Sequence, residues 1–321
     1  MHSPDPQPAW RQKGFLYYPL SLYLRETFGE RVQKISIDAG FSCPNVDGRI
    51  GTGGCIFCDN RSFSPARRMN IPAIPEQIRE GIARISARYK TAKYIAYFQP
   101  STNTYAPAEK LERVYREALN EPGIVGLAIG TRPDALPDDV LDLLAGLGKE
   151  TWLSLEIGLQ SAHNASLDFL NRGHHFDAFA DAVARARARN IRVGAHFILG
   201  IPGESRGEIL ATARKTAPLG LHSIKLHNLY VVGNTRLAEL YAAGKVRLLG
   251  RDEYVRLAVD FLELFSPETV VERLAGDAPR DFLIAPPWSA ERGNRIRQSV
   301  EEEFRRRGTC QGAKFKDSET L

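Results

Sequence analysis

Short apolar runs rich in β-branched residues alternate with longer amphipathic stretches over the first two-thirds of the chain. The runs are Val32–Ile37, Tyr94–Phe98, Ile124–Ile129, Trp152–Ile157, Val193–Leu199 and Ile224–Leu229. They read as strands buried on both faces. Helical patterns fill the gaps at Pro75–Tyr89, Pro107–Asn120, Pro137–Leu147, Asp177–Asn190 and Glu204–Leu219. Three of these open with proline at or near the first turn, where a missing N–H costs nothing. Six strands separated by five helices imply parallel strands joined by right-handed crossovers. The order fits an α/β fold, a partial (β/α)6 TIM-type barrel. An open doubly wound sheet is the competing arrangement, and periodicity does not separate the two. After Leu229 the alternation stops. Asp252–Phe265 reads as a helix, Thr269–Leu274 as a short strand and Ala290–Arg307 as a charged helix. This divides the chain into a disordered tail (1–14), a barrel (15–240) and a mainly helical extension (241–321).

The chain has 321 residues, of which 43% are apolar and 25% charged, so it can build a sizeable core. Its net charge of +5 and pI near 9.0 permit an acidic or nucleic-acid partner without requiring one. No apolar run reaches 18 residues, so no membrane span is expected. Residues 1–12 are polar and proline-rich, unlike a signal peptide, and a cytoplasmic location is expected. Disulfides are rare there, so the four cysteines point to metal binding or catalysis.

Unusual residues follow the C-terminal ends of the predicted strands. They include Gly40–Asn45, Gln99–Asn103, Gly130–Asp134, Gly158–Ser161 and Leu199–Glu204. In parallel α/β folds these ends form one face, where sites are built. Glu156, His196, Lys225 and His227 lie inside apolar strands, and a buried ionisable group needs a partner. Lys225, His227 and Leu229 are two apart and share one strand face. His174 and His175 read as a solvated loop, and Arg185, Arg187 and Arg189 as a solvated helix face with RNA contact as the other reading.

Cys43, Cys55 and Cys58 form a C-x11-C-x2-C cluster across a glycine-rich loop. Glycines let backbone N–H groups approach a bound anion. Three readings stand side by side. One is a [4Fe–4S] cluster with three protein ligands and one open iron. Another is a structural zinc site completed by a histidine or by Cys310, more than 250 residues away. The last is plain apolar packing.

Five motifs in order carry a family resemblance. They are Lys34-Ile-Ser-Ile-Asp-Ala-Gly-Phe-Ser-Cys-Pro-Asn, Tyr97-Phe-Gln-Pro-Ser-Thr-Asn-Thr-Tyr, Gly130-Thr-Arg-Pro-Asp, Leu155-Glu-Ile-Gly-Leu-Gln-Ser and His196-Phe-Ile-Leu-Gly-Ile-Pro-Gly-Glu. With Lys225-Leu-His-Asn-Leu they cover about three-fifths of the chain, and Gly276-Asp-Ala-Pro and Arg307-Gly-Thr-Cys-Gln-Gly match as well. The chain resembles the radical S-adenosylmethionine (SAM) superfamily, in particular the YhcC-like group related to the radical SAM core of the Elongator catalytic subunit. The superfamily's commonest spacing is C-x3-C-x2-C; the longer first gap here resembles the Elongator-related branch.

The resemblance implies that Cys43, Cys55 and Cys58 hold a [4Fe–4S] cluster whose fourth iron is chelated by SAM. It implies Phe57 near the adenine, and Ser101, Thr102 and Asn103 near the methionyl amine. Glu156 and Gln160 would lie near the ribose, with Glu156 pairing to Arg132 as the alternative. Ile198, Gly200 and the stretch to Gly203 would line the adenine, and Leu229 would close the pocket. Reductive cleavage of SAM would yield a 5′-deoxyadenosyl radical that abstracts hydrogen from the substrate. Lys225 and His227 are the candidate catalytic residues, orienting substrate or moving protons. A one-electron donor such as flavodoxin or ferredoxin is implied. The Elongator-related branch acts on tRNA, so tRNA is a candidate substrate, and Arg292, Arg295, Arg297 and Arg305–Arg307 give the C-terminal segment a basic bias interrupted by Glu301–Glu303. The alternative is a non-catalytic barrel, zinc-stabilised or RNA-binding.

Overall fold

The computed structural model of the chain describes residues 8–64, 66, 70–291 and 293–316. Its strands are β1 (Val32–Ile37), β2 (Lys93–Phe98), β3 (Ile124–Thr131), β4 (Trp152–Gln160), β5 (Arg192–Leu199), β6 (Ser223–Asn228), β7 (Val231–Val232), β8 (Val270–Arg273) and β9 (Leu283–Ala285). All six predicted strands are present, with ends within three residues of those expected. The five intervening helices are Ile74–Ser86, Ala108–Leu119, Asp138–Glu150, Phe176–Ala188 and Arg206–Thr216. Pro107 and Pro137 immediately precede their helices. The last helix starts two residues later than expected. Ser205 forms a capping box with Glu208, while Glu204 turns away to bond Ser161.

One sheet runs β1-β2-β3-β4-β5-β6-β8, all parallel. The order never reverses, which removes the doubly wound alternative, since that needs a switch point. Right-handed crossovers in one direction stack the helices on one side, and the sheet curls around its other face into a half-barrel. Alternation along the strands then sorts side chains. Ile35, Phe98, Ile129, Leu155, Phe197 and Leu226 point outward into the core beneath the helices. The opposite face carries Lys34, Tyr97, Glu156, His196 and Lys225, which meet inside. Helix Leu20–Phe28 plugs one end, packing Leu24 with Val32, Ile95, Tyr97 and Trp152.

The C-terminal segment differs from the expectation. Val270–Arg273 is not a strand of a separate extension; it adds a seventh strand beside β6, with Ser223 opposite Val270 and Lys225 opposite Arg273. Helix Gly293–Arg307 buries Ile296, Val300 and Phe304 in the barrel's own core. The fold therefore runs continuously through the boundary expected near residue 240. The tail is also shorter than expected. Ala9–Gln12 forms a helical turn, and Trp10 is buried against Leu22 and Cys310. Residues 1–7 and Arg292 lie outside the described residues. No helix among the described residues is long and apolar enough to cross a membrane.

Candidate functional site

The loop after β1 brings three thiols to the open end of the half-barrel. Consecutive left-handed glycines, Gly53 (φ 81°) and Gly54 (φ 72°), turn the chain into Cys55, a conformation side chains resist. Cys55 is buried, Cys43 half-buried and Cys58 exposed at its edge. Although Cys58 reaches the surface, desolvation of its thiol, then the charges of Cys55 and Cys43, push that thiol up to about 12. Arg172 Nη1 lies 3.1 Å from Cys55 Sγ and Asn45 Nδ2 lies 3.7 Å away. Neighbouring thiols of this kind become thiolates only when a positive centre takes the place of their protons. A single tetrahedral ion would require sulfurs about 3.8 Å apart, given metal–sulfur bonds near 2.3 Å. No three His, Cys, Asp or Glu among the described residues are arranged to hold one ion. A cubane fits better, because each thiolate binds a different iron and the set can spread wider. Cys310 is no fourth ligand: it packs with Trp10 and Leu22, away from this loop.

Below the cysteines lies a buried ionic network. Glu156 has no exposed side-chain surface and accepts from Lys34 (2.6 Å), Lys225 (2.8 Å) and His196 (2.8 Å). Lys34 also bridges to Glu272 on β8 at 2.6 Å, and Lys225 donates to the Tyr97 hydroxyl at 2.8 Å. Burial alone would raise the Glu156 carboxyl, but Lys225 and Lys34 outweigh it and hold it well below the usual range. Lys225 moves the other way: burial outweighs Glu156 and makes it a weaker base than an ordinary lysine. Burial, then Lys225, lowers His196, while burial and His196 itself keep His227 neutral. A neutral His196 therefore donates from Nε2 to the carboxylate, which can only accept.

A cavity of about 200 Å³ joins these two layers. Phe57, Gln160, Ile198 and Leu229 line it together with Cys58, Lys225 and His227. With His196, seven of the residues singled out from sequence thus converge with a cysteine. Glu156, Ser101, Thr102, Asn103 and Gly200 do not line it. Glu156 lies behind the wall with its oxygens engaged by three donors, and its partners are the lysines and His196, not Arg132, which pairs with Asp134 at 2.7 Å. Thr102 and Asn103 are fully buried, and the Asn103 amide nitrogen is committed to the carbonyls of Phe98, Pro100 and Gly130. That asparagine staples the loop. Ser101 is half-buried and accepts from Asn60 at 2.9 Å, whose own oxygen lies 3.8 Å from Cys58 Sγ. Gly200 turns the chain at φ 89°, where a Cβ would strike Leu249 at 2.6 Å. A larger cavity of about 930 Å³ lies outside the mouth, beside Arg49, Tyr105 and Asp134, and contains none of the cysteines.

Several contributors were not singled out from sequence. Arg172 is buried and also donates to the Gly158 carbonyl (2.7 Å) and to His174 Nε2 (3.2 Å). His174 is not solvated: burial, then Arg172 and Arg132, drive it down to about 2, so it stays neutral. His175 is exposed and pairs with Asp168. Arg185 and Arg189 are tied to Asp138, Asp142 and Asp181, as a helix face.

Fold and site together define a half-barrel that carries three cysteines at its strand ends, and the chain belongs to the radical SAM superfamily. The model for that superfamily matches residues 46–216, and the radical SAM C-terminal domain model matches residues 221–306. Superfamily enzymes bind a [4Fe–4S] cluster and SAM, and this chain is such an enzyme. The uncharacterized protein YtqA of Bacillus subtilis is 38% identical over 93% of this chain and 92% of its own length. YhcC of Escherichia coli K12 is 38% identical, covering 84% and 86%. A tRNA uridine(34) acetyltransferase of Dehalococcoides mccartyi is 28% identical over 50% of this chain but only 35% of its own. Among solved structures, the archaeal Methanocaldococcus infernus Elp3 with an N-terminal deletion superposes with a TM-score of 0.65 at 17% identity, covering 87% of this chain and 64% of that one. That likeness is one of fold.

Proposed function

We propose that this enzyme cleaves SAM reductively at a cluster held by Cys43, Cys55 and Cys58 and directs the resulting radical at a substrate inside the half-barrel. The observation that carries this reading is the single cavity shared by Cys58, Phe57, Gln160, Ile198 and Leu229 on one side and Lys225 and His227 on the other. When bound, cluster and SAM supply one-electron cleavage of a carbon–sulfur bond. The chain does the rest. Phe57, Ile198 and Leu229 give the adenosyl group an apolar seat that keeps water out. Gln160 offers an amide to the ribose, while Ser101, next to Cys58 through Asn60, stands near the methionyl end. Lys225, a weakened base anchored by Glu156, and neutral His227 orient substrate and can hold a proton. An electron donor of the flavodoxin or ferredoxin kind would dock at the cysteine loop, where Cys58, Val46 and Ile50 reach the surface.

The test is anaerobic reconstitution with iron and sulfide. The protein should turn brown, absorb broadly near 400 nm and, with SAM and a strong reductant, release 5′-deoxyadenosine. Cys58→Ala should abolish both. A colourless protein carrying one zinc would defeat the reading. For the proton-moving pair, His227→Ala with SAM binding and turnover both intact would remove His227 from it.

A tRNA substrate is the narrower reading, supported by the relative named for tRNA uridine(34). The surface favours it less: Arg305, Arg306 and Arg307 are engaged with Glu301, Glu303 and Asp260. Affinity for bulk tRNA that falls steeply with added salt would support it.

A further inference from the structure

Three basic side chains stand at the inner surface near β8, and only two are neutralised. Lys34 is shared by Glu156 and Glu272, and Lys225 is held by Glu156. The third is Arg273, on β8 directly opposite Lys225. Its guanidinium makes no hydrogen bond or ion pair with any described residue, and Asp277, four residues on, stays beyond ion-pair distance.

Arg273 is also placed where a ligand can reach it. It lines the 200 Å³ cavity that contains Cys58 and His227. It equally lines a second cavity of about 410 Å³ in the seam between β1 and β8, beside Gln33, Lys34 and Val271. Asp277 is the only other residue common to both linings. The turn that follows fixes this junction. Gly276 N–H donates to Asn228 Oδ1 at 3.1 Å, and Asn228 is anchored to Ser289 at 2.7 Å. A Cβ on Gly276 would come within 3.0 Å of Tyr230 and 3.2 Å of His227. The Gly276-Asp-Ala-Pro motif is thus the strap that packs the β8 end against the cavity wall.

A guanidinium has five donors and no acceptor, so a half-buried one without a partner is a receptor for a planar or tetrahedral oxyanion. We propose that Arg273 is a substrate-recognition residue, and that the substrate is a small molecule whose carboxylate or phosphate sits on Arg273 at the junction of the two cavities. This rests on the radical SAM reading of the same cavity and adds the substrate's chemical class. The methionine carboxylate of SAM is the other source of the same chemistry, and the test separates the two.

The experiment uses the full chain with its cluster reconstituted. Inorganic phosphate and acetate are titrated by calorimetry at low salt into wild type, Arg273→Gln and Arg273→Lys, and SAM is titrated into the same three. The expected result is single-site binding of at least one anion, weakened tenfold or more in Arg273→Gln and by less than threefold in Arg273→Lys, with SAM affinity within twofold throughout. Anion binding equal in wild type and Arg273→Gln overturns the proposal. A tenfold loss of SAM affinity in Arg273→Gln also overturns it, and gives the residue to the cofactor. The Lys variant and circular dichroism guard against a simple folding defect. Should wild type take up no cluster or release no 5′-deoxyadenosine, the cofactor reading fails on its own, whatever the anions do.

Discussion

The Arg172 guanidinium sits 3.1 Å from the Cys55 sulfur, with its remaining nitrogens spent on the Gly158 carbonyl and His174. With Cys55 ligating the cluster as proposed, a buried cation hydrogen-bonded to its thiolate favours the more negative, reduced state of that cluster. Arg172→Met should therefore shift the cluster's midpoint potential to more negative values, read by a redox titration followed by electron paramagnetic resonance. The iron content of the reconstituted variant is the control. A full complement of iron with an unchanged potential would limit Arg172 to packing.

Glu156→Gln should be among the most damaging single changes in the barrel. Two lysines and a histidine converge on that carboxylate inside the sheet, and neutralising it strands a buried charge on Lys225. Breaking such a buried group costs about 3–5 kcal/mol. Urea unfolding followed by far-ultraviolet circular dichroism measures this directly. A loss under about 1 kcal/mol would mean that water or Glu272 takes over the role.

Much of this was legible beforehand, and the limits have physical causes. Parallel strands sealed on both faces must be apolar, so their positions stood out, and proline and strand-end glycines marked the connections. The cysteine spacing made the three thiols the candidate cluster ligands. Partners were not legible, because Lys34 and Glu156 are 122 positions apart and meet only when the sheet curls. β8 reads as a short strand, but it has just four residues and comes after the alternation stops, so the pattern assigns it to the extension and not to the sheet. Asn103 lay in a matching motif, and its amide nitrogen turns out to be bound by three carbonyls while its oxygen has no partner among the described residues, a division that no sequence pattern shows.

Stability should fall on mild acidification. His174 and His222 are held neutral by burial, then by Arg172 and by Arg192 respectively, with values driven to about 2 and about 4. The unfolded chain takes up those protons near pH 6.5, so it binds more protons than the folded one below that point. The stability is complete above 6.5 and is lost as pH falls toward the folded values, by about 1.4 kcal/mol per pH unit per histidine. Urea midpoints of metal-free protein at pH 7.5 and 5.5 should differ accordingly. His174→Asn should flatten the dependence by about one proton; an unchanged slope would show that His174 already titrates normally.

Gly276→Ala tests the strap against His227. The added methyl meets Tyr230 at 3.0 Å and His227 at 3.2 Å, so one ring must move into the cavity. Overpacking of this size costs about 1 kcal/mol in stability. Release of 5′-deoxyadenosine should drop by about fivefold or more, well beyond what a 1 kcal/mol change in folding explains. Equal activity in the two proteins would show that the wall gives way freely.

The place of β8 has a consequence for any shortened form of this chain. A fragment stopped near residue 240 keeps the cysteines and every predicted cofactor contact, yet it bares the backbone of Ser223, Ile224 and Lys225 along an apolar strand. Such a naked edge is a template for other chains. The shortened protein should accumulate as self-associated material, and failure to make an active minimal version would reflect sticky edges and not missing chemistry.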